Sequence, residues 1–275
     1  MSVNASGNEP IGGGSRARVS RDEVVSYWEA NPCSEADQIR SVEDSEFYPA
    51  QEHARYELQP FIVPFARFDA ARGKRTLEIG VGLGADHMNF LRARAIAVGV
   101  DITWPAVFHT RRRARREGLT PRLVIADSLR LPFQDGTFDF VYSFGVLHHT
   151  PDPPQACAEA ARVASDMGTL KLMLYNRRSL LALQSWFVFG LLKGRPFHSL
   201  RKLIAGQIES PGTQAYSRRE LRSLIPSRFD LQISTVVTPY DCRIGRRRYL
   251  PRWLWKFIPS RLGWNHLITG RRRTA

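Results

Sequence analysis

Cysteine is scarce in this chain of 275 residues, acidic residues are outnumbered, and no long apolar run occurs. The three cysteines, Cys33, Cys157 and Cys242, lie far apart, show no CxxC spacing and are odd in number, which argues against a disulfide framework and against a zinc site. No metal is expected, and a reducing, cytoplasmic setting fits. The first twenty residues lack the apolar stretch of a signal peptide and are too polar and glycine-rich to pack, so 1–20 reads as a disordered tail. No run reaches the roughly 18 apolar residues that a spanning helix needs. The nearest, "SLLALQSWFVFGLL" from Ser179 to Leu192, reads as a buried or an interfacial helix. No internal repeat of fixed period is present, which excludes a solenoid.

Acid is the scarcer charge: 26 Asp and Glu stand against 40 Lys and Arg, a net charge of +14. After Asp241 there is no acidic residue at all, while arginines recur from Arg243 to Arg273. Such an end suits nucleic acid, anionic lipid or an acidic substrate. The run "RRRARRE" after Thr110 is most simply a solvated helix face.

With 43% hydrophobic residues the chain has enough apolar content to bury one full core. One domain over 21–275 is expected, made of a helical cap (21–72), an α/β core (73–176), a helical region (177–228) and closing strands with a basic end (229–275). In the cap, "DEVVSYWEA" has amphipathic helical spacing, and a second helix falls within "EFYPAQEHARYELQPFIVPFARF". From residue 73 short apolar runs alternate with helical segments: "RTLEIG", "ADHMNFLRARA", "AIAVGVD", "PAVFHTRRRARREG", "RLVIAD", "FDFVYSFGVLHH", "PPQACAEAARVA", "TLKLMLY". That alternation predicts βαβ units and a parallel sheet. Pro105 and Gly118 mark the start and stop of one helix. Beyond Asn176 the alternation breaks, then "SRRELRSLI" reads as a helix and "FDLQISTVV" and "GWNHLITGRR" as strands. The fold class expected is α/β, doubly wound and Rossmann-like. Its mostly parallel seven-stranded sheet carries helices on both faces, with an N-terminal helical cap and a helical insertion after the fifth strand.

"TLEIGVGLGADHMNF", Thr76 to Phe90, is a strand, a glycine-spaced turn and a helix start. Glycine lets backbone approach a ligand, and the helix start adds N–H donors. Gly80, Gly82 and Ala85 also satisfy the dinucleotide pattern, with Asp101 twenty-one residues after Gly80, so an adenosine-type ligand is indicated. Charge separates the candidates. Glu78 and Asp86 flank the turn and would repel a pyrophosphate, whereas a sulfonium and an ammonium would be held.

Four ordered segments, "TLEIGVGLG", "VGVDIT", "IADSLRLPF" and "FDFVYSFGVLHHTPDP", resemble the successive motifs of class I S-adenosylmethionine-dependent methyltransferases, most of all the small-molecule, quinone-biosynthesis-like group known as methyltransferase type 11. The likeness covers 73–176, and "SYWEANPC" and "YNRRSL" resemble a less characterised bacterial subgroup. It implies that S-adenosyl-L-methionine is the cofactor and S-adenosyl-L-homocysteine the product. By this resemblance Gly80, Gly82 and Gly84 shape the loop under the methionine part, with Glu78 ordering it. Asp101 takes the ribose hydroxyls, Ile102 lies against adenine, and Asp127 accepts from the adenine amine between Ala126 and Ser128. Ser143 faces the methionine end. Asp86 either binds the cofactor or caps its helix.

His148 and His149 follow the fourth strand beside the expected methyl position. Imidazole titrates where a general base must, and the alternative role is a hydrogen bond that positions the loop. The acceptor pocket is expected from Tyr27, Trp28, Phe47, Tyr48, Tyr175 and Asn176, whose aromatic density suits an apolar or ring-bearing acceptor. The C-terminal "YLPRWLWKFIPSRLGW" interleaves Trp253, Trp255 and Trp264 with cations, as a segment on an anionic bilayer does. The expected partner is therefore a small-molecule or lipid-linked methyl acceptor, with peripheral contact at the inner face of the membrane. An RNA methyltransferase is the first alternative; the charge favours it, but no RNA-binding module and no N-P-P-Y-like segment is present. A catalytically silent binding protein would be free to lose the acids and glycines that are intact here.

Overall fold

The computed structural model describes residues 19–31, 46–194, 197, 199–207, 210–244 and 248–272. Residues 1–18 of the expected tail, the "CSEADQIRSVED" stretch and Cys33 lie outside them. Ser20, at the tail's expected end, instead caps the first helix α1 (Arg21–Ala30) in a reciprocal capping box with Glu23.

Seven strands lie along the path of the main sheet: β1 (Arg75–Ile79), β2 (Ile96–Asp101), β3 (Arg122–Ile125), β4 (Phe138–Phe144), β5 (Ala164–Asn176), β7 (Phe229–Val236) and β10 (Asn265–Arg272). Their order is β3-β2-β1-β4-β5-β10-β7, and a two-residue strand β6 (Ala215–Tyr216) pairs with β5 beside that path. Pairings among β1 to β5 are parallel; β10 runs antiparallel to both β5 and β7. A short ribbon, β8 (Arg243–Ile244) with β9 (Arg248–Tyr249), stands apart.

Alternation along the central strands divides the core between two faces. Leu77, Ile79, Val141, Leu172 and Leu174 point to one face, where α6 (Pro153–Arg162) packs Ala156, Cys157, Ala160 and Ala161 against them; these small side chains let helix and sheet approach closely. Phe140, Tyr142, Met173 and Tyr175 point to the other. That face is covered by α3 (Ile62–Ala66), by α4 (Ala85–Arg92) through Phe90, and by the insertion helices α7 (Leu180–Trp186) and α8 (Leu200–Gln207) through Ala182 and Ile204. Helices thus cover both faces, as the doubly wound reading requires.

Strand order reverses between β1 and β4, and ligands of open α/β sheets bind outside the carboxyl ends at such a point. The two loops come very close there. Gly80 has φ +83°, and a Cβ on it would meet Val146 Cγ2 at 2.1 Å. The helix α5 (Trp104–Arg116) begins one residue before Pro105, which occupies its second position rather than the first. Its basic run is not wholly a solvated face. Arg113 is 1% exposed, donates to Gln51 Oε1 and pairs with Glu52, tying α5 to α2 (Phe47–Leu58).

Candidate active site

Gly80, Gly82 and Gly84 all have positive φ, so the turn after β1 is one that residues with side chains adopt only under strain. Asp101, ending β2, fastens it: Oδ2 accepts from Gly82 N at 3.1 Å, while Oδ1 accepts from Thr103 N at 3.0 Å and Thr103 Oγ1 at 2.9 Å. Burial raises the Asp101 carboxyl above its ordinary range, and these hydrogen bonds only partly offset that.

Glu78 meets its partner in His87 of α4, Nδ1 lying 3.0 Å from Oε2. Burial first, and then the charge of Asp86, push Glu78 well above the usual carboxylate range, and burial takes His87 down to about 4. Both groups therefore favour their neutral forms. Asp86 goes the other way. Burial alone would raise it, but the Arg55 guanidinium at 2.8 Å, with hydroxyl donors from Tyr142 and Tyr56, holds it below the ordinary value. Asp86 lies in the first turn of α4 and also lines the cavity.

Glu78, the three glycines, Asp86, Asp101, Ile102, Ala126, Asp127 and Ser128 share one cavity with Trp28, His149 and Tyr175. Asp127 is engaged on both oxygens, by Leu129 N at 2.9 Å and by Arg21 Nε of α1 at 2.8 Å. His149 is held at Nδ1 by Ser210 Oγ at 2.8 Å and Thr213 Oγ1 at 3.0 Å. Thr213 also donates to Ser210 O at 2.7 Å, so the two hydroxyls form a fixed polar cradle on that side of the imidazole.

Five other expected residues sit elsewhere, and so does Tyr27. Ser143 is 1% exposed and donates to Ile79 O at 3.0 Å, joining β4 to β1 behind the site. His148 is fully buried outside the cavity wall, its ring 3.9 Å from that of Tyr175, and burial followed by the nearby His149 drives its basicity well below the usual imidazole range. In that place the ring packs against Tyr175. Phe47 and Tyr48 pack on His109 of α5, with Tyr48 Oη 3.0 Å from its Nδ1, one turn beyond the cavity rim. Asn176 donates to Gly263 O at 2.8 Å and Arg261 O at 3.1 Å, so it pins the last loop. Tyr27 lies edge-on to Trp28 and does not itself reach the cavity.

Sequence reasoning missed several wall residues. Gln51, Arg55 and Gln59 line the cavity at helical spacing along α2, a polar stripe that the sequence did display. Tyr240 and Trp264 complete the aromatic end of the cavity, with Trp264 stacked 4.3 Å from Tyr175. Trp264 is fully buried, which corrects its reading as a surface anchor. No signal in the local sequence separates it from its exposed neighbour Trp253.

Acidic groups, tight glycine-turn backbone and an aromatic far end fit a nucleoside that carries cationic groups. No group of three or more His, Cys, Asp or Glu among the described residues is placed to hold a metal.

Residues 77–172 match the family model described as "Methyltransferase domain". The chain is 35% identical over 103 residues to 27-O-demethylrifamycin SV methyltransferase of Amycolatopsis mediterranei (strain S699), covering 36% of this chain and 38% of that protein. It is 28% identical over 210 residues to demethylmenaquinone methyltransferase of Thermobifida fusca (strain YX), covering 74% and 77%. The chain therefore spans under two fifths of the first of these relatives. Magnesium protoporphyrin IX methyltransferase of Synechocystis PCC 6803, solved with bound SAH, shares the fold with a TM-score of 0.59 at 16% identity, covering 92% of this chain and 100% of that one. Sequence match and fold point the same way: residues 77–172 match a methyltransferase domain, and the sheet that holds them shares its fold with a methyltransferase solved with bound SAH.

Proposed function

We propose that the chain transfers a methyl group from S-adenosylmethionine to a small-molecule or lipid-linked acceptor held beneath the N-terminal helices. The observation that carries this reading is a single cavity that joins the acid-flanked glycine turn to His149, Tyr175 and Trp264. Relatives named for demethylmenaquinone and for 27-O-demethylrifamycin SV favour a small-molecule acceptor over RNA. A cytoplasmic protein meeting the inner face of the membrane suits an acceptor of the lipid-linked kind.

The cofactor supplies a carbon already activated by sulfonium; the protein's part is alignment and exclusion of water. Asp101 would accept from the ribose hydroxyls and Asp127 from the adenine amine, between Ala126 and Ser128, with Ile102 against the ring. Glu78 and Asp86 would face the cationic end, where Arg55 offers its guanidinium to the carboxylate of the methionine part. Trp28 and Tyr175, with Tyr240 and Trp264, would hold the acceptor atom in line at about 3 to 3.5 Å from the methyl carbon. His149 Nε2 would take the proton from an acceptor that must lose one.

Thermal unfolding tests the cofactor directly. S-adenosylhomocysteine at a hundredfold excess over its dissociation constant should stabilise the fold by roughly 2.7 kcal/mol, while NAD should not. Stabilisation by NAD alone would overturn the reading.

A further inference from the structure

Helix α7 continues into a π-helical turn, Phe187–Leu191. Its exposed positions come in pairs four apart: Leu183 with Gln184, Phe187 with Val188, Leu191 with Leu192. Between them Ala182, Ser185 and Gly190 are buried. The extra residue in the π turn keeps the pairs in line. One side of the segment is therefore an apolar stripe facing solvent, with Phe187 49% and Leu192 67% exposed. Beyond it Phe197 is 98% exposed. A second stripe stands on the helix α10 (Arg252–Trp255) and the turn after it, where Trp253 and Phe257 are 63% and 68% exposed.

Both stripes spring from one corner. Asp241 accepts from Leu181 N at the start of α7 and from Trp264 N, and Gln184 Nε2 donates to its backbone oxygen. The next residue, Cys242, accepts from Leu250 N, and Leu250 O accepts from Trp255 Nε1, which anchors α10. Tyr240 and Trp264, on either side of this corner in the chain, form the acceptor end of the cavity.

The two chain segments that carry the stripes bring charge of one sign. Residues 177–208 contain no Asp or Glu, and neither do residues 242–275. Lys193, Lys202, Lys256 and Arg261 are exposed among or beside the apolar groups. Lys193 Nζ lies 5.3 Å from the Phe189 ring and Lys256 Nζ 5.1 Å from the Phe257 ring, so cation and aromatic ring occur side by side. Water-exposed Phe, Trp and Leu beside acid-free cationic surface is what a bilayer interface with anionic headgroups selects. RNA would be served by the cations but gives no use for aliphatic Leu183, Leu191 and Leu192. No helix among the described residues is long and apolar enough to cross a membrane.

We infer that this surface docks the protein on an anionic bilayer, with the acceptor end of the cavity served from the membrane. The acceptor class is then a molecule that partitions into lipid, which rests on the methyltransferase reading above. The full chain should sediment with vesicles of equimolar phosphatidylcholine and phosphatidylglycerol at low salt. It should be released as salt rises, because exposed charges are screened within about 8 to 10 Å at physiological ionic strength. Phe187→Ser combined with Trp253→Ser should weaken vesicle binding by roughly tenfold or more. Calorimetry with S-adenosylhomocysteine on the same preparations keeps the two readings apart. Normal cofactor binding with all protein left in the supernatant would overturn the docking surface alone. Undiminished vesicle binding by the double variant would also overturn it, as would equal binding to pure phosphatidylcholine.

Discussion

Asp101→Asn isolates what the carboxylate at the end of β2 contributes. Its two oxygens now serve donors on opposite sides, Gly82 N on one and Thr103 N with Thr103 Oγ1 on the other. An amide has one oxygen. Turned toward Thr103 it aims its NH2 at the Gly82 N–H; turned toward Gly82 it abandons the Thr103 N–H. Either way one backbone donor of the loop is left unpaired, at about 1 to 3 kcal/mol. The ribose hydroxyls lose a charged acceptor as well, so cofactor affinity should fall by on the order of 1.5 to 3 kcal/mol, roughly ten- to a hundredfold. Stability should follow a different course. Burial raises the Asp101 carboxyl, so the native state holds that proton more tightly than the unfolded chain does. Its contribution to stability is full below the ordinary carboxylate range and declines as pH rises through the raised folded value. The amide has no charge to desolvate and does not titrate, which offsets part of the lost hydrogen bond at neutral pH. Calorimetry with S-adenosylhomocysteine and thermal unfolding should therefore disagree: a large loss of affinity beside a small change in melting temperature. An unchanged dissociation constant would refute the reasoning, and so would a collapse of stability that accounts for the whole loss of binding.

His149→Ala should lower turnover by about 10² to 10⁴ while leaving S-adenosylhomocysteine affinity nearly intact, provided the acceptor must lose a proton. Equal losses in both would show that the ring only holds the loop. Glu78, raised well above its ordinary value by burial, should make cofactor affinity pH-dependent. A cationic ligand favours the carboxylate, so affinity should rise with pH by at most about tenfold per unit up to the raised ligand-free value and then level off. In titrations across that window Glu78→Gln should flatten the curve, and an unaltered slope would assign the proton to another group.

The sheet was legible because its residues repeat a simple physical pattern. Phe140 and Tyr142 alternate with Val141, and Met173 and Tyr175 alternate with Leu172 and Leu174, so each strand declares both of its buried faces. The acid- and glycine-lined end of the cavity was equally readable, Ser143 apart, since those residues sit at or just beyond strand ends that the pattern locates. The acceptor side was not. Aromatic density around Phe47 and Tyr48 says that α2 packs against something, but reach decides what. Gln51, Arg55 and Gln59 lie over the cavity, while Tyr48, one turn before Gln51, turns toward His109, Arg113 and Arg116 of α5. Trp264 comes to Tyr175 through β10, whose antiparallel register on β5 sets Asn265 opposite Tyr175. No local spacing encodes a contact across so many residues.

Glu78 and Asp86 are not two bare charges beside the turn: Asp86 is matched by Arg55, and burial shifts Glu78 toward its neutral form. Asp127 is matched too, by Arg21. The cavity thus resembles a set of paired acids more than a negative well, and its preference for a cation acts by exchange. A ligand ammonium near Glu78 would release its proton. An adenine amine seeking Asp127 must displace or share the contact with Arg21, whose side chain is 55% exposed. Exposed ion pairs contribute only about 0 to 1 kcal/mol, so that exchange costs little. Arg21 begins the helix that also carries Val24 and Trp28 into the cavity, and Trp28 stands edge-on to His149 at 5.1 Å. A ligand that draws Asp127 away from Arg21 would therefore act on α1 and, through Trp28, on the His149 ring.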